Sequence, residues 1–136
     1  MPGINESKPF LAIQIAVLTI SDTRTLEDDK SGNILIERIE TAGHTIAARK
    51  IIPDEQSEIE TALRTWIADP GVDVVIATGG TGVTGRDVTP EAFEAVYEKA
   101  IPGFGELFRW LSFAKIGTST VQSRATAGVA GCTYLF

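Results

Sequence analysis

The 136-residue sequence predicts a three-layer α/β/α sandwich around a mostly parallel sheet. Three runs rich in apolar and β-branched residues, Leu11 to Ile20, Thr45 to Ile52 and Val72 to Thr78, have the near-continuous hydrophobicity of strands covered on both faces. Between them lie two segments whose apolar residues recur at helical spacing. The resulting β-α-β-α-β order requires right-handed crossovers, and these place helices on both sides of the sheet.

Each element has its own local signature. In the first helix, opened by Ser31-Gly32, Leu35, Ile36, Ile39 and Ala42 share one face, and Gly43 takes the position just past the end. Pro53 closes the second strand. The pattern Ser57-Glu58-Ile59-Glu60 is that of a capping box, and Ile59, Ala62, Leu63, Trp66 and Ile67 form the apolar stripe of the second helix. Asp69-Pro70-Gly71 breaks that helix before the third strand. Thr89 and Pro90 suit the N-cap and first position of a third helix, with Ala92, Phe93, Val96 and Ala100 as its buried side. After Ile101-Pro102-Gly103 a fourth helix, from about Phe104 to Ala114, brings Phe104, Leu107, Phe108 and Leu111 together. Val121 to Phe136 reads as two short extended segments around Gly131.

Composition narrows the function. One domain of this length builds a sizeable core, and two ordinary domains do not fit. The formal net charge of −6 argues against nonspecific nucleic-acid binding, which needs a basic stripe to displace counterions. No apolar run approaches the ~18 residues of a membrane span. Met1 to Lys8 has little basic character and no hydrophobic region of the secretory type follows it. The single cysteine, Cys132, rules out an internal disulfide and any all-cysteine metal site, and is expected to be packed and inert. A cytoplasmic location is the expectation. His44 stands where a helix C-terminus favours a cation.

Parallel strands align their C-terminal ends along one edge, where ligands of such folds collect. Ser21-Asp22, Pro53-Asp54 and the stretch from Thr78 to Asp87 each follow a strand, so they should converge there. The third is the most telling: Thr78-Gly79-Gly80-Thr81-Gly82-Val83-Thr84-Gly85-Arg86-Asp87 is a four-glycine loop able to offer backbone N–H groups to phosphate. Gly80, Gly82 and Gly85 match the dinucleotide fingerprint, but Arg86-Asp87-Val88 intervenes before the next helix and no suitable acidic strand end follows. The spacing is also that of a Walker A loop, yet Arg86 and Asp87 occupy the places of its lysine and hydroxyl residue. A structural glycine turn without a ligand is the remaining plain reading.

Thr78 to Gly82, Arg86-Asp87-Val88-Thr89-Pro90-Glu91, Pro102-Gly103-Phe104-Gly105-Glu106 and Ser123-Arg124 together resemble the molybdenum cofactor biosynthesis family that includes protein B and molybdopterin adenylyltransferase. Ser21-Asp22, Asp28-Lys30-Ser31-Gly32 and Ile52-Pro53-Asp54-Glu55 fit the same pattern, so the resemblance covers nearly the whole chain. Phe104 to Arg109, Leu111-Ser112-Phe113 and Ile116 to Ser119 resemble the protein B branch more than its sister. The resemblance implies one molybdopterin-binding domain over residues 1–136. It also implies binding of molybdopterin, a pterin with a dithiolene and a terminal phosphate, and in active members adenylylation of that phosphate by Mg-ATP with release of pyrophosphate. Such transfer needs alignment and charge neutralisation more than covalent participation.

Carried onto this chain, the resemblance makes Asp54 and Asp87 the catalytic acids, holding Mg²⁺ or positioning the attacking phosphate. Ser21, Asp22, Ser31, Thr78, Gly79, Gly80, Thr81, Gly82, Thr89, Pro90, Glu91, Ser123 and Arg124 become the ligand-binding set. It also implies a homotrimer or dimer of trimers, with Phe104, Phe108 and Trp110 as contact candidates, and encounters with other enzymes of that pathway. Plainer roles stay open: Asp54 as a cap of the second helix, Asp87 as a partner of Arg86, Ser123-Arg124 as surface residues, and Trp66 and Trp110 as core or interface. The family's last strand runs on into a Pro-Gly-Ser-type loop and a closing helix. This sequence stops at Phe136, and the expectation is that it is cut short. A noncatalytic molybdopterin carrier and a dinucleotide-dependent oxidoreductase are the alternative functions.

Overall fold

The computed structural model describes residues 3–136; Met1 and Pro2, the start of the segment read above as lacking secretory character, lie outside them. Its order is β1 (Gln14–Ile20), α1 (Lys30–Thr41), β2 (Thr45–Ile52), α2 (Gln56–Ile67), β3 (Val74–Thr78), α3 (Thr89–Val96), β4 (Lys99–Ala100), α4 (Pro102–Ile116), a 3₁₀ helix (Gly117–Gln122), β5 (Gly128–Ala130) and β6 (Thr133–Leu135). The six strands form one sheet in the order β2-β1-β3-β6-β5-β4. β1 pairs parallel with β2 and β3, and β3 with β6; β5 runs antiparallel to both β6 and β4. The mostly parallel sandwich is therefore present, with β5 as the reversed strand.

β1 explains why the chain needs helices on both sides. Its residues from Ile15 to Ile20 are all buried, and successive side chains of a strand face opposite ways. Ala16, Leu18 and Ile20 enter a core with Ile59, Leu63 and Trp66 of α2 and Ala92, Phe93 and Val96 of α3. Ile15 and Val17 enter a second core with Ile39 and the half-buried Leu35 and Ile36 of α1. The stripes read from the sequence are the packing surfaces, and Trp66 is core.

Several boundaries differ from expectation for physical reasons. β1 begins at Gln14, because Phe10 to Ile13 is drawn aside to the α1–β2 turn: the Ile13 N–H donates to His44 Nδ1 at 3.2 Å and Phe10 packs on the His44 ring. His44 thus anchors the N-terminal segment. Gly43 does hold the left-handed conformation expected past α1, with φ of 91°, while Ala42 is exposed. α1 starts one residue early, because Asp29 caps it by accepting the Gly32 N–H at 3.0 Å. The capping box at Ser57 does not form: α2 starts at Gln56, and Glu55 at the cap makes no side-chain hydrogen bond. β3 starts at Val74, since Asp73 Oδ2 accepts the Gln14 N–H ahead of it.

The C-terminal third departs more. Ala100 belongs to the two-residue strand β4, paired with Gly128, and not to α3. Residues 117–122 are 3₁₀ helix, so the extended segments begin only at Gly128; they do flank Gly131, whose φ is 58°. Cys132 lies exposed in that turn rather than packed. Of α4, only Gly105 is fully buried, against the Ala125 carbonyl, whereas Leu107, Phe108, Trp110, Leu111 and Phe113 are exposed. The expected joint packing of Phe104, Leu107, Phe108 and Leu111 is absent: Phe104 meets Phe108 and Phe136, and the others face outward.

Candidate functional site

The C-terminal ends of β1, β2 and β3 lie side by side and are stitched together just beyond the sheet. The Ser21 N–H donates to Ile52 O at 2.9 Å, and Asp22 Oδ1 accepts the Asp54 N–H at 3.0 Å. Asp54 Oδ1 accepts the Val88 N–H at 3.4 Å, joining the β2 end to the start of α3. Asp54 therefore does not cap α2. Ser21 Oγ turns back to accept the Thr23 and Arg24 N–H groups and serves its own loop.

The glycine loop crosses this edge in a conformation that side chains resist. Gly79 and Gly80 have φ of 101° and 66°, the left-handed region that glycine enters without steric cost. A Cβ on Gly79 would strike the Ile20 carbonyl, and one on Gly80 would strike Thr89 Oγ1 and stand 3.1 Å from Asp54 Oδ1. Gly79 thus brings bare backbone up to the end of β1, and Gly80 brings it up to Asp54 and Thr89. Gly82 is as closely approached, with the Asp87 carboxylate 2.7 Å from where its Cβ would be.

Arg124 shapes the loop. Its Nε donates to Gly82 O at 2.6 Å, its Nη2 to Asp87 O at 2.6 Å, and its Nη1 pairs with Glu91. The main chain adds Arg124 N–H to Thr81 O at 3.2 Å and Thr89 N–H to Gly80 O at 3.1 Å. Arg124 and Glu91, both expected at the site, act here as a clamp under the loop. Arg86 does not pair with Asp87; it reaches across to Asp22.

Three carboxylates then share one edge, in different electrostatic states. Burial pushes the Asp54 carboxyl up; the Val88 N–H pulls it down, and the charges of Asp87 and Asp22 push it up further, for a net rise. Asp87 is held below the ordinary range, first by the Thr84 hydroxyl, which donates at 2.6 Å, and then by backbone N–H groups of Thr84 and Gly82. Asp22 is lowered by the Asp54 N–H and by Arg86. Among the described residues no group of three or more His, Cys, Asp or Glu is arranged to hold a metal ion. Mg²⁺ is ordinarily held by one or two carboxylates together with substrate phosphates, so a cluster of three is not needed for it.

Two buried polar atoms at this edge are left without a partner, Glu91 Oε2 in the clamp and Thr89 Oγ1 beside the loop. Thr89, expected to cap α3, sits inside it and makes no cap bond; its hydroxyl, on a residue only 4% exposed, has no hydrogen-bond partner. Thr89 lines a cleft of about 510 Å³ together with Thr78, Gly79, Thr81, Pro90, Ser123 and Ser31, and the apolar part of its lining includes Leu35 of α1, Phe104 of α4, Ile76 and Phe136. Of the expected residues, Thr78, Gly79, Thr81, Thr89, Pro90, Ser123 and Ser31 meet around this cleft, while Gly80 and Asp54 lie beside Thr89.

Sequence reasoning passed over two residues. Arg86 reads in the sequence as a defect of the Walker pattern, as part of the family motif and as a candidate partner of Asp87, but not as a site residue in its own right. Asp29, 1% exposed, accepts from the Thr19 hydroxyl at 2.7 Å, from Gly32 and from Arg49 Nη2 at 3.1 Å, and fixes the first turn of α1 beside Ser31. An acid before a helix start was the available signal for Asp29; its partner 20 residues on was not.

Comparison with known proteins places this architecture. The profile of the family described as "Probable molybdopterin binding domain" matches residues 16–135. Molybdenum cofactor biosynthesis protein B of Escherichia coli K12 is 45% identical over 130 residues, 96% of this chain and 76% of that protein. The chain belongs to the molybdenum cofactor biosynthesis family. A crystal structure of molybdenum cofactor biosynthesis protein B superposes with a TM-score of 0.91 at 43% identity, covering 95% of this chain and 81% of that one. A structure of MogA superposes at 0.81 with 30% identity, covering 90% and 81%. This family's sheet is the one whose strand ends carry Asp54, Asp87 and the glycine loop here. Among the described residues no helix is long and apolar enough to cross a membrane.

Proposed function

We propose that the chain works in molybdenum cofactor biosynthesis by binding molybdopterin at the strand-end edge and adenylylating its phosphate with ATP, releasing pyrophosphate. The unpartnered Thr89 hydroxyl carries this reading. A buried hydroxyl without a partner costs free energy, and this one sits against the left-handed Gly80 of the loop, where a small shift of the loop on binding would let a phosphate oxygen complete it. Asp54 and Asp87 would hold Mg²⁺, which when bound supplies charge neutralisation to the reacting phosphates. Both acids are present, which favours a catalyst over a noncatalytic carrier.

The chain's own residues divide the remaining work. Thr78, Gly79 and Thr81 line the approach, and the Arg124 clamp keeps the loop backbone preorganised. We further infer a homotrimer or dimer of trimers, supported by the exposed Trp110, Leu111 and Phe113 of α4. We place its action in the cytoplasm.

Pyrophosphate release from ATP that requires both molybdopterin and Mg²⁺ tests the proposal. Asp87→Ala should abolish turnover and leave molybdopterin binding largely intact. Turnover that survives the substitution removes Asp87 from the catalytic role; molybdopterin binding without any pyrophosphate release leaves the carrier.

A further inference from the structure

The glycine loop is served by two arginines held in opposite ways. Arg124 has Nε, Nη1 and Nη2 all engaged, two of them on loop carbonyls, and is partly buried. It cannot turn to a ligand without releasing the loop. Arg86 is 75% exposed and has one partner, Asp22, which is itself fixed from the other side by the Asp54 N–H. The pair draws the Arg86 guanidinium over the strand-end edge, near enough that its charge favours ionised Asp54. That edge is otherwise acidic, with Asp22, Asp54 and Asp87 all on it.

An exposed carboxylate–guanidinium pair is a weak contact that exchanges readily. Asp22 gives the guanidinium only Oδ2, since Oδ1 accepts the Asp54 N–H, whereas a phosphate offers it two oxygens and more charge. We propose that Arg86 is the residue that receives a phosphate group at this edge, and that Asp22 is its placeholder, keeping the guanidinium aligned while no phosphate is bound and yielding it when one arrives. Arg86 then offsets the repulsion that the carboxylates present to any phosphate. The placeholder lowers affinity, since each phosphate displaces a carboxylate. This inference rests on the proposed function only for whose phosphate it is, that of ATP or that of the pterin.

Equilibrium titrations of the full chain with inorganic pyrophosphate, ATP with Mg²⁺, and molybdopterin test it in the wild type, Asp22→Asn, Arg86→Ala and the double variant. Asparagine keeps an oxygen for the Asp54 N–H and removes the charge that holds Arg86. D22N should bind the relevant phosphate about tenfold tighter, R86A about tenfold weaker, and D22N should give no gain once Arg86 is absent. A gain with pyrophosphate and ATP assigns the triphosphate; a gain with molybdopterin alone assigns the pterin phosphate. Unchanged or weaker binding by D22N, or an equal gain in the R86A background, overturns the placeholder. R86A turning over with unchanged KM and kcat overturns Arg86 while adenylyl transfer stands. Tightening by D22N without pyrophosphate release in the wild type keeps Arg86 and removes adenylyl transfer.

Discussion

Replacing Arg124 by alanine separates a loop clamp from a phosphate ligand. The substitution removes two hydrogen bonds from a guanidinium to carbonyls, at Gly82 and Asp87, and the pair with Glu91. Hydrogen bonds to charged groups contribute ~1.5–3 kcal/mol each when shielded. Arg124 is 32% exposed and Glu91 43%, so water recovers part of each bond and the ion pair contributes at most ~1 kcal/mol. The expected loss is ~2–3 kcal/mol, read as a lower urea midpoint with an unchanged slope. Hydrogen exchange should rise at Gly82 to Val88, because the clamp is what orders that stretch. The loss also depends on pH. Arg124 holds the Glu91 carboxyl below its ordinary value of 4.5, so this part of the stability is present above 4.5 and fades as pH falls through the depressed folded-state value. The gap between wild type and R124A should therefore be widest near neutrality and narrow in acid. A midpoint within error of wild type, with unchanged exchange and only a raised KM, would refute the clamp and restore Arg124 as a ligand.

Thr89→Val removes a hydroxyl that has no partner in the free protein, so it should raise stability by ~1 kcal/mol in thermal unfolding and weaken substrate binding about tenfold; a destabilised variant would show that the hydroxyl is satisfied. Asp29→Ala leaves Arg49 and Thr19 without their shared carboxylate and uncaps α1, for a loss of ~3–4 kcal/mol at pH 7. Burial opposes ionised Asp29, but Thr19, Gly32 and Arg49 together hold it below 3.8, so the wild-type contribution is present above pH 3.8 and lost as pH falls through the lowered value. Unfolding curves of the two proteins that fail to converge in acid would contradict this. Asp54→Asn should do the reverse of Asp29→Ala. A carboxyl raised in the folded state costs stability once ionised, so the variant should be more stable than wild type at pH 7, equal to it well below pH 3.8, and without turnover.

The parts of this fold that were legible in the sequence are those whose cause is local. The stripe from Ile59 to Ile67, Gly43 past the end of α1 and the bend at Gly131 follow from side-chain period and from the φ that only glycine adopts freely. Elements whose cause is a distant partner were not legible. Lys99 and Ala100 are strand because Val129 and Gly128 pair with them. The α4 face looked like core because its apolar period is helical, yet among the described residues nothing packs over Leu107, Trp110 or Leu111.

The site divides along the same line. The sequence alone determined that three strand ends carrying Ser21-Asp22, Asp54 and a four-glycine loop share one edge, because parallel crossovers leave no other arrangement. Only the tertiary structure decided which polar groups there engage one another. Arg124 meets Gly82, Asp87 and Glu91 from 42, 37 and 33 positions away and is thereby committed to the loop; Arg86 meets Asp22 across 64 and stays at the surface. Hydrogen bonds are short-ranged and directional, so a residue's freedom to bind a ligand depends on partners that folding alone brings within about 3 Å.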